Sequence, residues 1–411
     1  MNLIEAIVAQ VPDLTELRRD LHAHPELGFQ ENRTADLVAA KLAQWGLPLH
    51  RGLGGTGVVG IVHGRDGGQC GRAIGLRADM DALPITERNT FAHASRHPGK
   101  MHACGHDGHT VMLLAAAQYL AAHRDFDGTA YLIFQPAEEN HGGARAMLKD
   151  GLFERFPVEA VFGMHNWPGL AAGRFAISAG PVMASDNVFR ITVIGEGGHA
   201  ALPHLGCDPV PIACQIVQAF QTILTRNKKP VDAGVISVTM IHAGETSNVI
   251  AGRCEIAGTV RTFTAEVLEL IERRMREIAG GICAAMGARC EFHFERNYPP
   301  TVNTPREAAF CRQVMERIAG AHHTQEQEPT MGAEDFAFML QARPGAYGFI
   351  GNGAGGPHDA APCALHNPHY DFNDALIAQG GTYWVRVVEG WLGGEQAEKQ
   401  PTTRTSAPSN K

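Results

Sequence analysis

Several features are scarce or missing in this 411-residue chain. No apolar run is long enough to span a bilayer. The most apolar long stretch, VMLLAAAQYLAA at 111–122, reads instead as a buried helix. Basic residues do not outnumber acidic ones: 35 Lys and Arg face 43 Asp and Glu, a net charge of −8 with no long basic run. Nothing electrostatic therefore favours nucleic acid or anionic lipid as a partner. Charged residues make up only 19%, under the roughly 25% usual for soluble domains, and 44% of residues are hydrophobic. That balance excludes a disordered or coiled-coil chain. The opening residues, MNLIEAIVAQVPDL, lack the basic start, apolar core and small-residue cleavage site of a signal peptide. The nine cysteines are odd in number and scattered without a disulfide framework, so they read as mostly reduced and buried. Together these absences lead us to expect a cytoplasmic protein.

What is present reads as an enzyme-sized α/β protein. Helical patterns at 13–23 and 32–45 precede strand patterns at 57–64 and 73–79. A helix after Asp107 and strands at 129–134 and 160–165 follow. Such alternation predicts a sheet with helices on both faces. The stretch GLGGTG at 52–57 matches a dinucleotide-binding pattern, but it precedes a strand instead of linking strand to helix, so it reads as a turn. From Asn187 the style changes. Strands at 187–195, 234–242, 249–263 and 289–298 and helices at 208–226 and 265–286 give the order βαββαβ, a split βαβ unit able to form its own small domain. Helices near 305–319 and 375–392 resume the first style. We therefore expect a catalytic domain from 1–185 and 299–394, an inserted domain at 186–298, and a disordered polar tail at 395–411.

In open α/β sheets ligands bind beyond the carboxyl ends of strands. Asp79 and Asp81, the pair Glu138 and Glu139, and His165 all fall there, and Cys104 and His106 of MHACGHDGHT immediately precede a helix. Each signal has an ordinary alternative. Asp107 could cap the helix and Cys104 could be a small buried hydrophobe. Cys104 could also be a thiolate nucleophile. Glu138 and Glu139 could simply complement a helix dipole behind Pro136. His165 and His366 could be satisfied structural histidines. Taken together, a mixed Cys, His and carboxylate set suits a divalent transition metal such as Zn or Mn.

The motifs LRADMDALP (76–84), MHACGHDGHT (101–110), QPAEE, GMHNWP, GEGGHAALPH (195–204), ETSNVIAG (245–252), GTVRTF (258–263), GAEDFAFM (332–339) and LHNPHYDFND (365–374) occur in this order, after DLHAHPELGFQE near the start. This set resembles the amidohydrolase branch of the dinuclear metallopeptidases. That branch includes hippurate hydrolase, auxin-conjugate hydrolases and N-acetyl-diaminopimelate deacetylase.

The resemblance implies a zinc-peptidase-like mixed-sheet domain with an inserted α+β lid and dimerisation domain. It implies two divalent ions per subunit (Mn or Zn, with Co or Ni as further options), held by Cys104, His106, Glu139, His165 and His366. Glu138 matches the general base and Asp81 a ligand-orienting acid. His199 matches an oxyanion donor that reaches a partner subunit's site, and Asn248 and Arg261 match residues gripping a substrate carboxylate. Asp79 stands where the wider superfamily has a metal-binding histidine, and it stays outside the expected ligand set. His102 and His109 are expected as supporting neighbours, and Asp107 as a helix cap or a partner to a ligand. The implied activity is cleavage of N-acyl amino acids, hippurate-like, by a homodimer or dimer-based oligomer. An aminopeptidase or dipeptidase and a silent metal-binding protein are the alternatives.

Overall fold

The computed structural model describes residues 1–353 and 363–393, with the Asn140 side chain excepted. The expected tail and the last residue of the second catalytic segment lie outside the described residues. The strands, in chain order, are β1 Leu49–Leu53, β2 Gly57–His63, β3 Ala73–Asp79, β4 Thr129–Gln135, β5 Ala160–Pro168, β6 Phe175–Ala176, β7 Gly180–Met183 and β8 Asp186–Ile194. They continue as β9 Gly198–His199, β10 Gly234–His242, β11 Val249–Ile250, β12 Arg253–Thr262, β13 Arg289–Tyr298, β14 Thr301–Asn303, β15 Thr324–Gln325 and β16 Gly345–Gly353.

Eight of these form one mixed sheet in the order β1-β2-β4-β3-β5-β16-β6-β15. Its central strands β4, β3, β5 and β16 run parallel. Every residue of β3 is buried, as parallel strands covered on both faces require. Alternate residues feed two cores: Val58, Ile74, Leu76 and Phe162 pack on one side, and Val59, Ile133, Val161 and Phe349 on the other. On the first side lie the helices Val11–Ala23, Asn32–Gln44, His106–Ala122, Pro305–Ala319 and Ile377–Leu392. The GLGGTG segment is the tight connection of the antiparallel pair β1 and β2, with Gly52, Gly54 and Gly55 at positive φ.

A second sheet, β10-β12-β8-β13, is antiparallel throughout. The helices Pro209–Thr222 and Ala265–Ala285 cover one of its faces and close a separate core around Phe189, Ile216, Phe220 and Ile271. The helix Pro209–Thr222 is capped by Asp208, whose side chain accepts from the Val210 amide. One expectation needs correcting here. The run 249–263 is not a continuous strand, because Val249 and Ile250 leave the sheet to pair with His199 and Gly198. A break at Ala251–Gly252 separates that short pair from β12.

Two neighbours of β3 position the site. The chain leaves β3, crosses over to β4 on one side, and later returns to β5 on the other. That reversal opens a crevice at the carboxyl ends of β3, β4 and β5.

Candidate metal centre

Asp79 is the last residue of β3, and Asp81 follows it two residues on. His165 lies within β5, which runs three residues further than the sequence pattern suggests. The helix His106–Ala122 begins immediately after Gly105, whose φ is 95°. A Cβ at Gly105 would fall 2.2 Å from Asn166 Nδ2. Only glycine therefore lets Cys104 and His106 approach the end of β5 so closely. The expected cap does not form: no side chain caps this helix, and Asp107 Oδ2 instead accepts from His22 Nδ1 at 2.8 Å. Beyond β4 the chain turns through Ala137 (φ 52°) into the four-residue helix Glu138–His141 and out through Gly142 (φ 70°). This turn presents the two carboxylates in sequence.

Five groups of ligand-type atoms result among the described residues, and two of them share Cys104. Cys104, His106 and His165 offer donor atoms all within 4.8 Å of one another, and so do Cys104, Glu139 and His366. Cys104 Sγ lies 3.3 Å from His165 Nε2, and His366 Nε2 lies 3.1 Å from Glu139 Oε1. Asp81 bridges both groups. One oxygen pairs with His106 Nδ1 at 3.2 Å, and the other accepts from the Glu139 amide at 2.9 Å. This is the orienting position that the sequence suggests for it. Asp79 is engaged elsewhere, with Arg77 Nη1 at 2.6 Å and His109 Nδ1 at 2.6 Å, while His106 Nε2 stands 3.8 Å away. His109 thus supports the site through Asp79, whereas both ring nitrogens of the buried His102 lack a protein partner.

These atoms fit cations. His106 Nε2 and Glu139 Oε1 are buried and make no hydrogen bond, the second because its close approach to His366 is misaligned. Unsatisfied buried polar atoms are costly unless something binds them. The electrostatics point the same way. Burial, then the carboxylates of Glu139 and Glu138, push the Cys104 thiol well above its ordinary range. Burial, then Glu334 and Glu139, hold the Glu138 carboxyl well above its own. Burial opposes protonation of His106, but Asp79 and Asp81 outweigh it and push it up to about 10. So much buried negative character with thiol and imidazole donors is the setting of a transition-metal site.

A cavity of about 370 Å³ opens over these groups. It is lined by Cys104, Glu138, Glu139, His165 and His366, and also by Trp167, Met183, Asp186, Arg261, Tyr298, Glu334 and Leu365. Arg261 thus joins the site within its own chain. His199 and Asn248 do not line this cavity. They lie together at the exposed two-stranded ladder of β9 and β11, where the Ala200 amide donates to Asn248 O. Four residues with no role assigned from sequence also belong here. Glu31 accepts from the Ala137 amide at 2.8 Å, and Tyr298 donates to Glu138 O at 2.8 Å. Asp186 faces Arg261, and Glu334 accepts from Arg77. Glu334 lies in the motif GAEDFAFM and Glu31 ends DLHAHPELGFQE; Asp186 and Tyr298 lie in no quoted motif.

Comparison with known proteins agrees with this arrangement. A family model described as Peptidase family M20/M25/M40 matches residues 75–390. Hippurate hydrolase of Campylobacter jejuni is 38% identical over 393 residues, covering 95% of this chain and 100% of that one. An IAA-amino acid hydrolase of Arabidopsis thaliana is 38% identical, covering 92% of this chain and 85% of that one. A crystal structure of a Bacillus subtilis protein, described as a dinuclear metal-binding peptidase of the M20 family, superposes with a TM-score of 0.82. It shares 33% identity and covers 94% of this chain and 99% of that one.

Proposed function

The chain belongs to peptidase family M20/M25/M40, and from that premise we propose that it hydrolyses the amide bond of N-acyl amino acids. The products are a carboxylic acid and a free amino acid, with hippurate-like aromatic acyl groups preferred. It is a metal-dependent hydrolase acting on amide bonds, and the observation that carries the reading is the Cys104 sulfur shared by two donor triads beside Glu138.

Cys104, His106 and His165 would hold one ion, and Cys104, Glu139 and His366 the other. Mn or Zn suits this mixed soft and hard donor set. When bound, such a pair supplies Lewis acidity to the scissile carbonyl and to water. Glu138 takes the proton of the attacking water and hands it to the leaving nitrogen. The backbone of Asp335 steadies it, donating to Glu138 Oε1 at 3.4 Å. Asp81 fixes the ring of His106 and the backbone of Glu139 at once. Arg261 offers a guanidinium fork to the substrate carboxylate. His199 and Asn248 act from the inserted unit of a second subunit, His199 as oxyanion donor and Asn248 on the carboxylate.

Residues 186–298 serve as lid and dimerisation unit, and 1–185 with 299–394 as the catalytic unit. Support comes from the separate core of the second sheet and from the exposed Met240 and Ile241 of β10 and Val249 of β11. Among the described residues no helix is long and apolar enough to cross a membrane. A cytoplasmic location accords with that and with nine unpaired cysteines.

The test is a screen of N-benzoyl, N-acetyl and indoleacetyl amino acids against free dipeptides, each with added Mn, Zn, Co or Ni. Efficient turnover of the acylated series is expected. Cleavage confined to dipeptides would assign a peptidase instead.

A further inference from the structure

The turn that carries Glu138 does not hold itself. A four-residue helix is far too short to persist on its own. This one begins after a left-handed alanine, a disfavoured conformation, and has no side-chain cap. One internal bond closes it, from the Gly143 amide to Ala137 O at 2.9 Å, and the rest of its shape comes from outside contacts. The Ala137 amide is bound by Glu31, and the Glu139 amide by Asp81. Both partners belong to the large sheet's side of the molecule.

Asp335 adds its amide to Glu138 Oε1 at 3.4 Å, and a further contact comes from the second sheet. The Tyr298 hydroxyl donates to Glu138 O at 2.8 Å and accepts from the Gly142 amide at 3.0 Å, spanning the helix from first residue to exit. Tyr298 is the last residue of β13, the strand that returns the chain from the second sheet. Its ring is buried and packs edge-on against Phe338, 5.9 Å between centroids. In the same strand register it faces Asp186, the residue that meets Arg261.

We propose that the Tyr298 hydroxyl is the latch that sets the Glu138 turn against the root of the second sheet, which makes Tyr298 a positioning residue for the proton-transferring carboxylate. This rests on the reading of Glu138 as general base. Without the hydroxyl, Glu138 O and the Gly142 amide are left buried and unpaired, and the turn relaxes. The carboxylate then loses its aim, while the ligand side chains keep their own supports.

Tyr298→Phe keeps the ring and its packing and removes only the latch. In metal-loaded enzyme with N-benzoylglycine, kcat should fall on the order of ten- to a hundredfold, the cost of a small misplacement. KM should move by less than about threefold, since ground-state binding does not pass through this contact. Metal content and melting temperature should stay near wild type. In a Glu138→Gln background, Tyr298→Phe should cost less than about twofold more, because it acts through the group already removed. Phe338→Leu loosens the ring's packing and spares the hydroxyl; it should lower the melting temperature and leave kcat within about twofold. Wild-type kcat in Tyr298→Phe, equal losses in both backgrounds, or an equal kcat loss in Phe338→Leu would each overturn the latch. A Glu138→Gln enzyme with wild-type turnover would sink the base assignment itself, and the latch with it.

Discussion

Arg261 Nη1 stands 2.7 Å from Asp186 Oδ1 in the cavity wall, close enough for an ion pair yet too poorly aligned for a hydrogen bond. The two residues extend from neighbouring strands β12 and β8 just where both strands leave the second sheet. Asp186 therefore keeps the guanidinium turned toward the cavity without consuming its donors.

That arrangement makes charge recognition testable. Charge-assisted bonds of an Arg fork to a carboxylate are worth roughly 1.5–3 kcal/mol each. N-benzoylglycine should accordingly be cleaved at least about tenfold better than its amide, by kcat/KM. Arg261→Ala should erase most of this preference, and Arg261→Lys should restore only part, because an ammonium cannot bond bidentately. Equal cleavage of acid and amide by the wild type would mean that Arg261 reads no carboxylate.

The adjacent glutamates should separate cleanly. Glu139 shares a donor group with Cys104 and His366, whereas Glu138, which groups with His106 and Glu139, also faces Glu334 and the Asp335 amide. Glu138→Ala should reduce turnover on the order of 10²–10⁴-fold with metal content intact. Glu139→Ala should lose metal, read by elemental analysis after dialysis. The reverse pattern would exchange the two roles.

Much of this centre was legible in the sequence because its members sit in short, chemically dense motifs. CGH and QPAEE place donor-type side chains and the Glu138 carboxylate within a few residues of strand or helix ends, and strand order brings them together. The second sheet was legible through its alternating patterns, for example the burial alternation of β12. Other parts had no local signature. Glu31 and Tyr298 act on a turn 106 and 160 residues away, so even for Glu31, which ends a recognisable motif, the surroundings do not announce the partner. Strands of two residues such as β6 and β15 cannot show a period. The break after Ile250 follows from pairing with β9, which only the folded chain brings near.

Glu31 also carries a pH signature. Burial raises its carboxyl from 4.5 to about 7, against the bonds it accepts from Thr56 and Ala137 and with help from Asp81. The folded state thus holds this proton where the unfolded chain has released it. Its contribution to stability is intact below pH 4.5 and is lost as pH rises toward 7, by roughly 3 kcal/mol in all. Glu31→Gln keeps an acceptor for the Ala137 amide and cannot ionise. Urea unfolding of chelator-treated wild type and Glu31→Gln, compared from pH 4.5 to 7.5, should show the wild type losing ground steadily. Parallel stability curves would place the Glu31 carboxyl in an ordinary carboxylate range.

The last prediction concerns a residue that this chain keeps away from its own site. His199 is exposed on the β9–β11 ladder, and its Nδ1 accepts from the Ala201 amide at 3.1 Å. A neutral ring that accepts at Nδ1 carries its proton on Nε2, so it presents a donor outward, the form needed to stabilise an oxyanion. The bond from the Ala200 amide to Asn248 O keeps the two residues side by side. Neither lines the cavity that holds Glu138 and Arg261. A second subunit is the simplest way for that donor to meet a substrate. His199→Ala and Glu138→Ala should each be nearly inactive alone. In a mixed dimer, one of the two sites combines an intact Glu138 with an intact His199 from the other subunit. Unfolding and refolding the two variants together should therefore regenerate activity, approaching half the wild-type value per heterodimer. Tagged heterodimers isolated by two affinity steps supply the measurement. If they form and stay inactive, His199 serves its own chain's site or lies outside the chemistry.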